Sequence, residues 1–166
     1  PILTIIDTPG AYPGIGAEER GQGQAIAENL ILMSQLKVPI ISTIIGEGAS
    51  GGALAIGLSD KILCLKNSWY SVISPEGCAS ILFRDSAKAN EAADSMKVTS
   101  KDLFDIGIAD LIIDEPNGSA HIDPQGSSKK LKEAILSEYQ ELIKLTDEQL
   151  VENRMAKYNS IGDWTD

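Results

Sequence analysis

Short unbroken apolar runs dominate the first 75 positions, and helical spacing takes over toward the C-terminus. Ile2 to Ile6 and Val38 to Ile45 read as strands, the second with Pro39 at its start, where proline is tolerated. Continuous runs of this kind suit strands covered on both faces. Between them, Asp7 to Gly16 carries Pro9-Gly10 and Pro13-Gly14 and reads as a structured loop. Glu18 to Leu36 follows as one helix, its buried stripe marked by Ile26, Leu30 and Met33. Gly46 to Gly52 reads as a glycine loop running into a helix of small residues, Ala53 to Leu58. Ile62 to Leu65 and Tyr70 to Ile73 are further short strands. The turn Ser74-Pro75-Glu76-Gly77 leads into Cys78 to Phe83, and Ser86 to Met96 is alanine-rich and helical.

Thr99 caps the next helix, with Asp102 at its third position and Gly107 at its end. Leu111 to Ile113 is the last strand, and Asn117 to Gly126 a loop. Ser127 to Leu145 is a long amphipathic helix, and Thr146 caps a final one reaching Tyr158. Strands alternating with helices at this spacing predict an α/β domain with parallel turns. A boundary near residue 115 divides a core, 1–115, from a loop and helical tail, 116–166. The tail is expected to pack on the core or on a partner subunit.

Composition removes several classes. The 166 residues suffice for one domain with a sizeable core. A net charge of -10 argues against nucleic acid as the main partner and against an anionic membrane surface. No apolar run approaches the roughly 20 residues of a membrane span. Cys64 and Cys78 make neither a disulfide framework nor a zinc site by themselves, so no metal is expected in this chain. The chain opens at Pro1 without a methionine, which suggests a fragment lacking its N-terminal part.

The candidate chemistry centres on Gly46-Glu47-Gly48-Ala49-Ser50-Gly51-Gly52-Ala53, which follows a strand and opens a helix. The first amides of a helix lack intrahelical partners and sit at the positive end of its dipole, where an anion is stabilised. Gly51 and Gly52 in succession offer two adjacent N–H groups, the arrangement an oxyanion needs. Close helix–strand packing would also call for glycine here. Three motif readings compete. Gly46-x-Gly48-x-x-Gly51 fits a dinucleotide fingerprint, but Lys61 to Ser74 lacks the acidic residue that fingerprint wants. Gly48-x-Ser50-x-Gly52 fits a hydrolase nucleophile elbow, with Asp110 or Asp114 and then His121 in the right order, though His121 sits in a polar loop. The third reading is an oxyanion cradle without a nucleophile.

Four motifs then carry a resemblance. Asp7-Thr8-Pro9-Gly10-Ala11-Tyr12-Pro13-Gly14, Ala17-Glu18-Glu19-Arg20-Gly21, Gly46 to Ala55, and Tyr70 to Ala79 occur in an order that resembles the carboxyltransferase α subunit of multi-subunit acetyl-CoA carboxylase, C-terminal half. The resemblance implies a ClpP/crotonase-like fold of stacked β-β-α turns. It implies transfer of a carboxyl group from carboxybiotin, borne on a separate biotin carboxyl carrier protein, to acetyl-CoA, giving malonyl-CoA for fatty acid synthesis. Biotin carboxylase and a zinc-ribbon β subunit, in an α2β2 arrangement, are the further partners implied, in the bacterial cytoplasm or the plastid stroma. Gly51 and Gly52 would hold the biotin ureido oxygen. Gly48, Ala49, Ser50, Pro9, Gly10, Tyr12, Ser74 and Glu76 would form the site wall. Valine at position 51 or 52 is expected to abolish transfer without disturbing assembly. The alternative is a crotonase-type acyl-CoA hydratase or hydrolase.

Overall fold

The computed structural model describes residues 1–162. In chain order the elements are β1 (Ile2–Thr8), α1 (Ile15–Glu19), α2 (Gln22–Gln35), β2 (Ile40–Ala49), α3 (Ser50–Gly57), β3 (Lys61–Leu65) and β4 (Trp69–Ser71). There follow α4 (Pro75–Leu82), α5 (Ala89–Met96), α6 (Ser100–Asp105), β5 (Leu111–Ile113), α7 (Pro124–Leu142) and α8 (Asp147–Asn159). Short 3-10 turns occupy Ser86–Lys88 and Pro116–Gly118.

The strands form one sheet in the order β1-β2-β3-β5, with all ladders parallel. β2 is the central and longest strand. Its first half pairs with β3, from Ile41 opposite Lys61 to Ile44 opposite Cys64. β4 then takes over, with Glu47, Gly48 and Ala49 opposite Trp69, Tyr70 and Ser71. β2 thus changes neighbours between Ile44 and Glu47, just before the start of α3. The predicted glycine loop at 46–52 is therefore strand up to Ala49 and helix from Ser50. Glycine in a strand is tolerated here because both neighbours, Thr8 on β1 and Tyr70 on β4, hold Gly48 in register.

Each face of the sheet is covered by helices. Ile6, Ile44, Ile62 and Cys64 pack with Ala53 of α3 and Leu103 of α6. On the other face Ile41, Leu63, Leu65 and Ile113 pack with Leu142 of α7 and Leu150 of α8. That second layer lies over β2 and β5 and stops short of β1, whose pairing places Leu3 and Ile5 beside Ile41 and Thr43. Leu3 and Ile5 are consequently 50% and 44% exposed. The expectation of two covered faces holds for β2 and β3 and fails for β1, the edge strand.

The predicted helix from Glu18 to Leu36 is two helices. Gly21, at φ 74, ends the first turn and caps the second, a left-handed conformation that glycine adopts freely. The stripe on α2 is as read: Ile26 and Leu30 are half-buried and Met33 is buried. Its C-terminal carbonyls, which no glycine cap satisfies, are taken by Arg154 of α8. That guanidinium is fully buried. It donates Nη1 to Met33 O and Leu36 O, both at 2.8 Å, and Nη2 to Val38 O at 3.1 Å. Nε and Nη2 also donate to the Asp60 carboxylate at 2.8 and 3.0 Å. All five of its N–H donors are occupied.

Candidate functional site

The site begins at the β2–α3 junction. Ala49 is the extended N-cap and Ser50, the first helical residue, has φ 52. A non-glycine residue there is uncommon and strained, and such strain gathers at functional sites. No side chain caps α3. The loop after β1 is drawn against this junction: Asp7 Oδ1 accepts from Glu47 N at 3.0 Å, and Thr8 Oγ1 accepts from Gly10 N at 3.2 Å. Contact is closest at Gly52. A Cβ on that residue would stand 2.7 Å from the carbonyl carbon of Gly10 and 2.8 Å from Ala11 N. Backbone meets backbone there, so nothing larger than glycine fits. Gly51 is different, since a Cβ would meet side-chain atoms at ordinary contact distances, Ile26 Cδ1 at 3.4 Å and Ala11 Cβ at 4.0 Å.

In front of Ser50 and Gly51 lies a cavity of about 480 Å³. Its apolar lining comes from Leu54, from Tyr70, Val72 and Ile73, and from a later stretch of Met96, Val98, Leu103, Ile106 and Ile108. The wall contains neither histidine nor carboxylate, and Lys97 is its one charged residue. Burial pushes the Tyr70 phenol up to about 12, so it stays a neutral hydroxyl.

Of the residues singled out from sequence, Ser50 and Gly51 reach this cavity wall. Gly48 and Ala49 are buried behind it in β2. Gly10 backs the helix start through its contact with Gly52. Pro9 and Tyr12 are exposed on the loop, Tyr12 by 73%. Ser74 is the N-cap of α4, accepting from Gly77 N at 3.1 Å, and Glu76 is exposed in that helix's first turn. None of these last four belongs to the cavity lining. Valine at 52 would drive a Cβ into the Gly10–Ala11 backbone, so that variant strains the local fold as well as the site. His121 meets Ser119 Oγ at 2.7 Å on an exposed loop and takes no part in the wall. Sequence reasoning missed the later stretch of the lining, from Met96 to Ile108. Its one legible signal is the Thr99–Asp102 capping box, which the structure contains and which fixes where α6 starts.

A central strand that hands its partner from β3 to β4 and turns into α3 beside a cavity is the architecture of crotonase-like α/β proteins. Among solved structures, a Pseudomonas malonate decarboxylase hetero-tetramer bound to coenzyme A aligns over 95% of this chain and 62% of its own, with TM-score 0.75 and 16% identity. Transcarboxylase 12S aligns over 68% of this chain and 24% of its own, with TM-score 0.60 and 25% identity. An enoyl-CoA hydratase from Mycobacterium thermoresistibile aligns over 96% and 68%, with TM-score 0.59 and 14% identity.

The family described as acetyl co-enzyme A carboxylase carboxyltransferase-like matches residues 1–162, and the chain belongs to it. It is 58% identical over its full length to the acetyl-coenzyme A carboxylase carboxyl transferase subunit alpha of Ruthia magnifica subsp. Calyptogena magnifica, covering 52% of that protein. The same subunit of Chlorobium luteolum (strain DSM 273 / BCRC 81028 / 2530) is 51% identical over the full chain, which covers 50% of it. The chain spans about half the length of the curated relatives it matches. Among the described residues no helix is long and apolar enough to cross a membrane.

Proposed function

We propose that this chain is the part of an acetyl-CoA carboxylase carboxyltransferase α subunit that carries one half of the active site. The activity is transfer of a carboxyl group from carboxybiotin, on its carrier protein, to acetyl-CoA. The observation that carries the reading is Gly51 and Ser50 at the unpaired start of α3, in the wall of an apolar cavity. The cavity suits the group: its mainly aliphatic lining, with Tyr70, accepts a fused ring or an acyl chain. Biotin, when bound, supplies the carboxyl group to be moved.

The chain's own contribution is preorganised donation. The Gly51 N–H, at the positive end of α3, and the Ser50 hydroxyl beside it are fixed before reaction begins. Charge developing on an oxygen at that point is stabilised without reorganisation. The apolar side chains around that point lower the local polarity, which strengthens a hydrogen bond made there. Gly52 acts from behind, by letting the Gly10–Ala11 backbone press on the helix start. A hydratase would need a positioned acid and base for its water, and this wall offers no carboxylate or histidine.

A zinc-ribbon β subunit in an α2β2 assembly, the biotin carboxyl carrier protein and biotin carboxylase are the partners this reading requires. The relatives named above are bacterial, which favours the bacterial cytoplasm over the plastid stroma. The test uses the full-length α subunit assembled with β. Gly51→Pro removes the N–H and places proline within the first helical turn, where it is tolerated; Gly51→Ala keeps the N–H. Biotin-dependent malonyl-CoA decarboxylation should fall by about 10²–10³ in the proline variant and stay within about threefold in the alanine variant. A folded proline variant with wild-type turnover would refute the donor role.

A further inference from the structure

The cavity wall holds one cation, and the fold does not explain why it is there. Lys97 follows α5 as its C-cap, at φ 53 and ψ 58. Helices commonly close through a left-handed residue, and glycine is the usual one because a Cβ is disfavoured there. Lysine at this position is a local cost to the fold. Its side chain gains no ion pair within 4.0 Å among the described residues, unlike Lys37, Lys61, Lys66, Lys101 and Lys157. Asp102 is the carboxylate that senses it, and weakly: the Thr99 hydroxyl is the first cause of that carboxyl's lowered pKa. Asp102 is already occupied by Thr99 in the α6 capping box.

Lys97 is also placed where a charge has an effect. It shares the wall of the 480 Å³ cavity with Gly51, Met96 and Val98, and it is exposed, as a residue at the cavity mouth is. The chain as a whole carries a formal charge of -10, which repels anions. A single unneutralised ammonium at the entrance of an otherwise uncharged wall reverses that sign locally. An exposed lysine with no carboxylate to satisfy it donates readily to an oxyanion.

We propose that Lys97 binds the anionic oxygens of the ligand that enters this cavity. This rests on the carboxyltransferase reading above and adds a second point of recognition to it, on a different element from the donors on α3. The shared chemistry is a carboxylate or phosphate oxygen. It is met either by the carboxyl group being transferred or by the phosphates of coenzyme A.

Calorimetric titration of the assembled full-length complex separates the sources without requiring turnover. Coenzyme A carries phosphates and no carboxylate; malonyl-pantetheine carries a carboxylate and no phosphate. Three variants are compared: Lys97→Met, Lys97→Arg and Lys97→Gly. The methionine and glycine variants should bind one of the two probes about five- to tenfold more weakly, as expected for one lost charge-assisted contact. Arginine should restore it to within about twofold. Lys97→Gly should melt higher than wild type, since glycine relieves the left-handed residue, and still bind weakly. A purely structural lysine would not combine these two results. Weakening confined to coenzyme A assigns Lys97 to phosphate, and weakening confined to malonyl-pantetheine assigns it to carboxylate. Folded methionine and glycine variants that bind both probes as wild type does would overturn the proposal. Turnover of the wild-type complex, measured separately, tests the carboxyltransferase reading itself.

Discussion

Gly51 and Gly52 are adjacent and identical in type, yet they answer to different constraints. Gly52 faces backbone at 2.7 Å, and backbone cannot step aside as a flexible side-chain end can. Gly51 faces the tip of Ile26 at ordinary contact distance. Gly52→Ala should therefore cost about 1–3 kcal/mol of stability, as overpacking does. Gly51→Ala should be neutral or better, because alanine is the stronger helix former by about 1 kcal/mol. Urea denaturation midpoints of the two variants, measured side by side, check this. Equal midpoints would mean that the Gly10 loop yields. The sequence could not separate the pair, since what distinguishes them is how closely a loop distant in sequence, Gly10–Ala11, packs on each.

Among the elements, those defined by local chemistry were legible. Thr99 with Asp102 and Thr146 with Gln149 both form capping boxes, and the Thr146 box opens α8 at the residue expected. β5 spans the three residues predicted. The misread elements depend on distant partners. Gly46 to Ala49 looked like loop because glycine is a poor strand former, but β1 and β4 pair with it from either side. Gly21 precedes the Ile26, Leu30 and Met33 stripe and reads as part of the same helix, so the break there was missed. Arg154 drew no reading from the sequence, because nothing local marks it. Its partners lie 94 to 121 positions away, at Asp60 and the end of α2. Removing it leaves the Asp60 carboxylate buried with only the Ile40 amide, at 2.7 Å, as partner. Arg154→Met should lose about 3–5 kcal/mol, read as the change in unfolding free energy. A loss under 1 kcal/mol would show that water or rearrangement replaces the guanidinium.

For the whole molecule, the buried ionisable groups favour neutral over alkaline pH. Desolvation raises the Cys64 thiol from 9.0 to about 11 and the Tyr70 phenol from 10.0 to about 12. Each group is protonated when folded and loses its proton more easily when unfolded. Their contribution is complete below pH 9 and falls as pH rises through the folded values. Unfolding free energy should decline from about pH 9 to 12, by about 2–3 kcal/mol per group. Cys64→Ala should flatten the lower part of that decline, and an unchanged slope would remove Cys64 as its source.

The Arg154 anchorage reaches beyond stability. The guanidinium, carried by α8, grips the end of α2, the Val38 carbonyl at the approach to β2 and Asp60 just ahead of β3, so α8 is interior structure by contact. Any shortening that reaches Arg154 would disturb the entry to the central strand, whose far end presents Ser50 and Gly51. Helix α8 and the chain's chemistry are thus joined through a single β-strand, and neither can drift in sequence without consequence for the other.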